Sequence, residues 1–214
     1  MRMRRKKHRE DRLANCSELI IQNIMEYVDD IRAVFPGSDK PLRMEIGCGK
    51  GRFIAETAAK NPDINFIAFE KNLDVLVLAA ERAKAAELKN VKFAPANADC
   101  LREFKQVNGC EVIYINFCDP WPKNSYRRRR LTHPIHLELW KKLMTENGAI
   151  HFKTDNKGLF EYSLNSFSDY GMRLKNITLD LHASSFEGNV MTEYEMLFSE
   201  QGQPIYRCEA VFVD

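Results

Sequence analysis

The residues of this 214-residue chain best suited to chemistry lie together, at Asp119-Pro120-Trp121-Pro122-Lys123. Two prolines stiffen the stretch, so a carboxylate and a flat indole face are held in fixed relation, a combination suited to gripping a planar base. Just beyond it, Tyr126, Arg127, Arg128, Arg129 and Arg130 form a cationic run with an aromatic inside. A solvated helix face would mix charge signs, and phosphate binding accounts better for this unmixed run. The histidines (His8, His133, His136, His151, His182) suggest no catalytic pair. The six cysteines show no C-x-x-C pair and no metal-ligand spacing with histidine, so they read as reduced thiols and no metal site is expected.

A second constellation is Glu45-Ile46-Gly47-Cys48-Gly49-Lys50-Gly51, which follows an expected strand and opens an expected helix. A dinucleotide fingerprint fails because its third glycine falls on Arg52. A P-loop fails because its first glycine falls on Met44 and Gly51 stands where Ser or Thr should bind magnesium. What remains, acidic-x-G-x-G-x-G, resembles the first motif of the Rossmann-like S-adenosylmethionine-dependent methyltransferases. Glycines without Cβ let the backbone approach a methionine moiety and ribose closely. Glu45 is placed to order the turn and face the cationic side of such a cofactor, and Glu70 to accept both ribose hydroxyls. Asn97 and Ala98 follow the third strand, where an amide and a backbone N–H suit the adenine edge, with Asp99 an alternative for that contact and a candidate cap.

An alternation of strands and helices must position these groups. Strands are expected at 42–46, 64–69, 91–96, 111–117, 148–154, 173–181 and 205–213. Helices are expected from the glycine turn to about residue 60, at 73–87, from a Thr132 cap to about residue 146, at 159–170 and at 193–199. The nearly unbroken apolar run at 111–117 is of the kind buried on both faces of a parallel sheet. The pattern predicts an α/β fold: a Rossmann-like, doubly wound, mostly parallel sheet of about seven strands with helices on both faces. Ligands of such sheets bind at the carboxyl ends of the strands. Residues 1–12 read as a mobile arm too basic to pack, and the apolar spacing at 19–35 as a helix. The division is thus 1–40, arm and lead-in, and 41–214, a single domain.

Formal net charge is only +2, but the charges are segregated: residues 1–12 and 123–130 hold 12 of the 32 basic residues and 2 of the 30 acidic ones. Two basic segments on an acidic body are the footprint of a protein that meets a polyanion. No apolar run reaches membrane-span length and no apolar stretch follows the basic N-terminus, so a cytoplasmic protein with no membrane contact is expected.

The strongest stretches are Glu45 to Gly51, whose glycine turn many methyltransferases share, and the more specific Asn116-Phe117-Cys118-Asp119-Pro120-Trp121-Pro122-Lys123 and His151-Phe152-Lys153-Thr154-Asp155-Asn156, with Arg129-Arg130-Leu131 and Thr192-Glu193-Tyr194-Glu195. On them the chain closely resembles the bacterial tRNA (guanine-N7-)-methyltransferases, the TrmB family. The resemblance implies the class I methyltransferase fold, S-adenosyl-L-methionine as cofactor, and 7-methylguanosine formation in the tRNA variable loop, at position 46 of tRNA. It implies that Glu45, Glu70, Asn97 and Asp119 line the cofactor site, beside Gly47, Gly49, Gly51 and Ala98 as read above, and that Asp119 is also catalytic. Lys123, Asp155, Thr192, Glu193, Tyr194 and Glu195 would contact the substrate, and Tyr126 with Arg127, Arg128, Arg129 and Arg130 the RNA. TRNA is the implied partner, with no obligate protein partner, as monomer or homodimer. The chain departs from the family in carrying Asn97 where many members have Asp, and in the more helical pattern at 20–35.

Two other readings stand beside this one. A methyltransferase acting on an exocyclic amine often carries (Asp/Asn)-Pro-Pro-(aromatic), but Trp121 fills the third place here. A non-catalytic RNA-binding protein would need neither Glu70 nor a cofactor.

Overall fold

The computed structural model describes residues 8–105 and 109–213. The fold is α/β, with a seven-stranded, mostly parallel sheet, and the chain divides into two compact units, Met1–Lys105 and Gln106–Asp214.

In the first unit, β1 (Leu42–Ile46), β2 (Asn65–Phe69) and β3 (Val91–Ala94) are parallel in the order β3-β2-β1. Every residue of β2 is buried, as a central parallel strand requires. Helices α2 (Arg52–Lys60) and α3 (Leu73–Ala85) connect the strands. Ala79, Ala80 and Ala83 of α3 are fully buried. A Cβ on Gly51 would lie 2.5 Å from that of Ala79, so only glycine allows this approach.

Two expectations fail in this unit. The 19–35 segment forms no α-helix but three 3-10 turns, Ser17–Leu19, Ile24–Tyr27 and Ile31–Val34. Asn23 and Asp30 side chains take the amides of Met25 and Arg32, while Ile21 N donates to Phe93 O along the edge of β3. Local side-chain acceptors and a strand edge thus outcompete the helix, although the apolar residues still reach the core. The expected arm is partly docked: α1 (Arg9–Ala14) packs on α3, with Arg12 forking onto both Glu81 oxygens at 2.6 Å and Arg9 3.6 Å from Asp74. Acidic residues of α3 thus accommodate the basic charge. Residues 1–7 of that arm lie outside the described residues.

In the second unit, β4 (Cys110–Asn116) runs parallel to β5 (Met144–Thr154), and β7 (Tyr206–Val211) is antiparallel to both β5 and β6 (Arg173–Thr178), in the order β4-β5-β7-β6. Helices α4 (Pro134–Leu143), α5 (Lys157–Asp169) and α6 (Glu193–Glu200) accompany them. Thr132 is not the cap of α4. His133 accepts from Ile135 N, with Pro134 opening the helix, and Thr132 is buried against α5, 2.8 Å from Ser163 Oγ. The helix ends at Leu143 because Met144 already pairs with Cys110 at the edge of β4.

Candidate functional site

In the first unit the turn after β1 places Gly47, Gly49 and Gly51 at φ 81°, 56° and 77°, the left-handed region in which glycine carries no Cβ penalty. Gly47 N and Cys48 N donate to Phe69 O, joining the turn to the end of β2. Glu70 completes the joint: Oε2 accepts from Gly49 N at 3.2 Å and Oε1 from Asn72 N at 2.8 Å. Cβ atoms built on Gly47 or Gly49 would meet nothing within 4 Å, so open space faces the turn. Glu45, 2% exposed, is the penultimate residue of β1, next to Ile46. After β3, Asn97 Oδ1 accepts from Asp99 N and its Nδ2 donates to Asp99 Oδ2, with Ala98 buried between them. Asn97 thus forms the turn itself.

In the second unit, two aromatic residues on either side of Cys118-Asp119-Pro120 adopt positive φ, Phe117 at 52° and Trp121 at 43°. Bulky residues sit there only when their surroundings compel it. Phe117 N donates to Lys153 O at 2.9 Å. Arg130 donates to Pro120 O from Nε and to Trp121 O from Nε and Nη2, and lies 4.2 Å from the centre of the Tyr162 ring. This brace leaves Asp119 exposed at the carboxyl end of β4, while Asp155 lies just beyond β5. Burial pushes the Cys118 thiol up to about 12, and the charges of Asp119 and Asp155 push the same way, so both carboxylates act on one point.

The basic run divides by role. Arg129 lies 4.8 Å from the centre of the Trp121 ring and 4.9 Å from that of Tyr126, two rings that meet edge to face, and Arg130 is the brace. Arg127, Arg128 and Lys123 are exposed. The pKa of His133 is lowered by burial first and then by the charges of Arg127, Arg128 and Arg130.

At α6, Thr192 Oγ1 accepts from Glu195 N at 2.9 Å, the first half of a capping box. The second half is absent, because the fully buried Glu195 carboxylate instead meets Lys153 Nζ at 2.7 Å and Asn189 Nδ2 at 2.6 Å. Glu193 is half-buried and Tyr194 is 60% exposed. Tyr194 stacks on Phe198, which lies 6.2 Å from Phe117, so an aromatic line runs from the helix surface to the residue two before Asp119. Sequence reasoning missed Lys153, Asn189 and His182. The available signal was a lysine inside an otherwise core-like strand. Among the described residues no group of His, Cys, Asp and Glu is arranged to hold a metal ion, and no helix is long and apolar enough to cross a membrane.

The fold and the glycine turn define a class I methyltransferase. Residues 39–208 match a family model described as "Putative methyltransferase". Solved structures of the same fold include a 16S rRNA methyltransferase, KamB, with a TM-score of 0.59 at 13% identity over 82% of this chain and 89% of that one. An antibiotic-related methyltransferase gives a TM-score of 0.58 at 17% identity over 89% and 92%. Over 99% of its length the chain is 49% identical to the whole of the tRNA (guanine-N(7)-)-methyltransferase of Streptococcus pyogenes serotype M6 (strain ATCC BAA-946 / MGAS10394). The serotype M5 (strain Manfredo) protein of the same name matches equally. The chain belongs to the tRNA (guanine-N7-)-methyltransferase family.

Proposed function

We propose that the protein transfers a methyl group from S-adenosyl-L-methionine to N7 of the guanosine at position 46 in the tRNA variable loop, in the cytoplasm, as a monomer or homodimer. The observation that carries this reading is full-length similarity to tRNA (guanine-N(7)-)-methyltransferases, joined to a glycine turn braced by Glu70. The turn fits the cofactor: open space over Gly47 and Gly49 admits it, Glu70 suits its ribose, Glu45 lies near the end of β1, and Ala98 follows β3. Asn97 is assigned to the adenine side, and family resemblance adds Asp119. When bound, the cofactor supplies an electrophilic methyl group on sulfonium.

Guanine N7 carries an in-plane lone pair and is unprotonated at neutral pH, so the transfer needs no general base and rests on positioning. Asp119, exposed on a loop stiffened by two prolines and the Arg130 brace, accepts from the guanine N1–H and exocyclic amine. It thereby orients N7 and stabilises the positive charge the purine acquires. Asp155 with Thr192, Glu193 and Tyr194 forms the rest of the base-binding surface, and the fully buried Glu195 stands behind it. Lys123, Tyr126 and the arginine run hold the RNA backbone. The test is to incubate the protein with S-adenosylmethionine and unmodified tRNA, digest the RNA and identify methylated nucleosides by mass spectrometry. 7-Methylguanosine is expected; a methyl group on another base or atom contradicts the reading.

A further inference from the structure

The proposed chemistry gives the buried charge of Lys153 no task. Lys153 lies in β5 with its side chain 6% exposed. Its ammonium donates to Glu195 Oε2 at 2.7 Å, Val190 O at 2.9 Å and Asn189 Oδ1 at 3.1 Å, using all three donors of the group. Glu195 Oε1 accepts from Asn189 Nδ2 at 2.6 Å and lies 3.3 Å from His182 Nε2. Asn189 thus bridges cation and anion through its two amide ends. A buried ion pair gains little over apolar packing, because desolvation offsets the attraction, so stability alone is a weak reason for it.

Its connections supply a better one. The Lys153 carbonyl accepts from Phe117 N, fixing the strained residue two before Asp119. The Lys153 side chain fixes the loop at Asn189 and Val190 and, through Glu195, the first turn of α6. Asp155 follows two residues later along the chain. One residue therefore sets the Asp119 loop, Asp155 and Tyr194 relative to one another.

We propose that Lys153 is a positioning residue for methyl transfer, and that Glu195 works through Lys153, holding the Thr192–Tyr194 edge of α6 in place rather than meeting the base itself. The proposal rests on the reading of that edge as a substrate contact.

The test uses the full chain with Lys153→Met and Glu195→Leu combined, which replaces the ion pair by apolar groups so that neither of its two charges is left behind alone. The expected result is a folded protein with unchanged S-adenosylmethionine affinity and a KM for tRNA raised about tenfold. In a Tyr194→Ala background the same replacement adds less than about twofold, because the contact it serves is already gone. An unchanged KM, or the full loss repeated in the Tyr194→Ala background, overturns the proposal. If the double variant does not fold, Asn189→Ala removes one hydrogen bond to each partner. It is expected to raise the tRNA KM about threefold without changing cofactor affinity, and an unchanged KM there also overturns the proposal. A wild-type protein that forms no 7-methylguanosine in tRNA removes the underlying reading and the proposal with it; an active wild type indifferent to the pair removes the proposal alone.

Discussion

Glu70 Oε2 accepts a hydrogen bond from Gly49 N–H at 3.2 Å, so the acidic residue ending β2 braces the glycine turn that follows β1. A group that both shapes the turn and serves the ribose is expected to matter for the cofactor more than for the fold. Glu70→Ala should weaken S-adenosylmethionine binding by about tenfold or more, about 1.4 kcal/mol, read by calorimetry. Unchanged affinity would reduce Glu70 to a turn brace.

Gly51 and Gly49 separate packing from conformation. Gly51→Ala forces a Cβ to 2.5 Å from Ala79 Cβ at φ 77°, whereas Gly49→Ala, at φ 56°, meets open space. The first should cost about 2–5 kcal/mol, combining overpacking with left-handed strain, and the second about 1–2 kcal/mol. Denaturant unfolding distinguishes them, and equal losses would contradict the close approach of α2 and α3.

Alkali should destabilise the fold. Burial raises the Cys118 and Cys208 thiols from 9.0 to about 12, and burial with a hydrogen bond to Glu138 raises Tyr170 from 10.0 to about 12. The native state therefore holds protons that the unfolded chain releases, so this stability is complete below about pH 9 and is lost as pH rises toward about 12. Melting temperature should fall steadily over that window, less steeply in a Cys118→Ala, Cys208→Ala variant. A flat profile to about pH 11 would contradict the raised values of these groups.

The arginine run should divide in mutagenesis as it divides in structure. Replacing the exposed Arg127 and Arg128 with Ala should weaken tRNA binding and flatten its log–log salt dependence by about 1–2, at about 0.7–0.9 per phosphate contact, with thermal stability kept. Arg130→Ala, which removes the bonds to Pro120 O and Trp121 O, should lower the melting temperature and activity and barely change the salt slope. The reverse pattern would exchange the two roles.

The α/β alternation and the glycine turn were legible because each is written in contiguous residues: apolar strands, a glycine cluster between strand and helix, Glu70 at a strand end. The 19–35 segment was not, because helical apolar spacing also satisfies a chain of short turns once Asn23 and Asp30 capture local amides. Thr132 lost the α4 cap to His133 for a tertiary reason, its hydroxyl being drawn to Ser163 on α5. The role of Glu195 was hidden for the same reason: its partner Lys153 lies 42 residues earlier, and no local spacing encodes that pairing. Arg130 read as one more cation, and only the fold shows it bracing Trp121.

The central claim concerns one atom, and it is tested most directly by removing that atom from the substrate. Two unmodified tRNAs are compared, one carrying guanosine and the other 7-deazaguanosine at the variable-loop position, which replaces N7 by C–H and leaves the Watson–Crick edge that Asp119 would grip. The account predicts methyl incorporation into the first tRNA, none into the second, and similar binding of both. Equal methylation of the 7-deaza tRNA would contradict it.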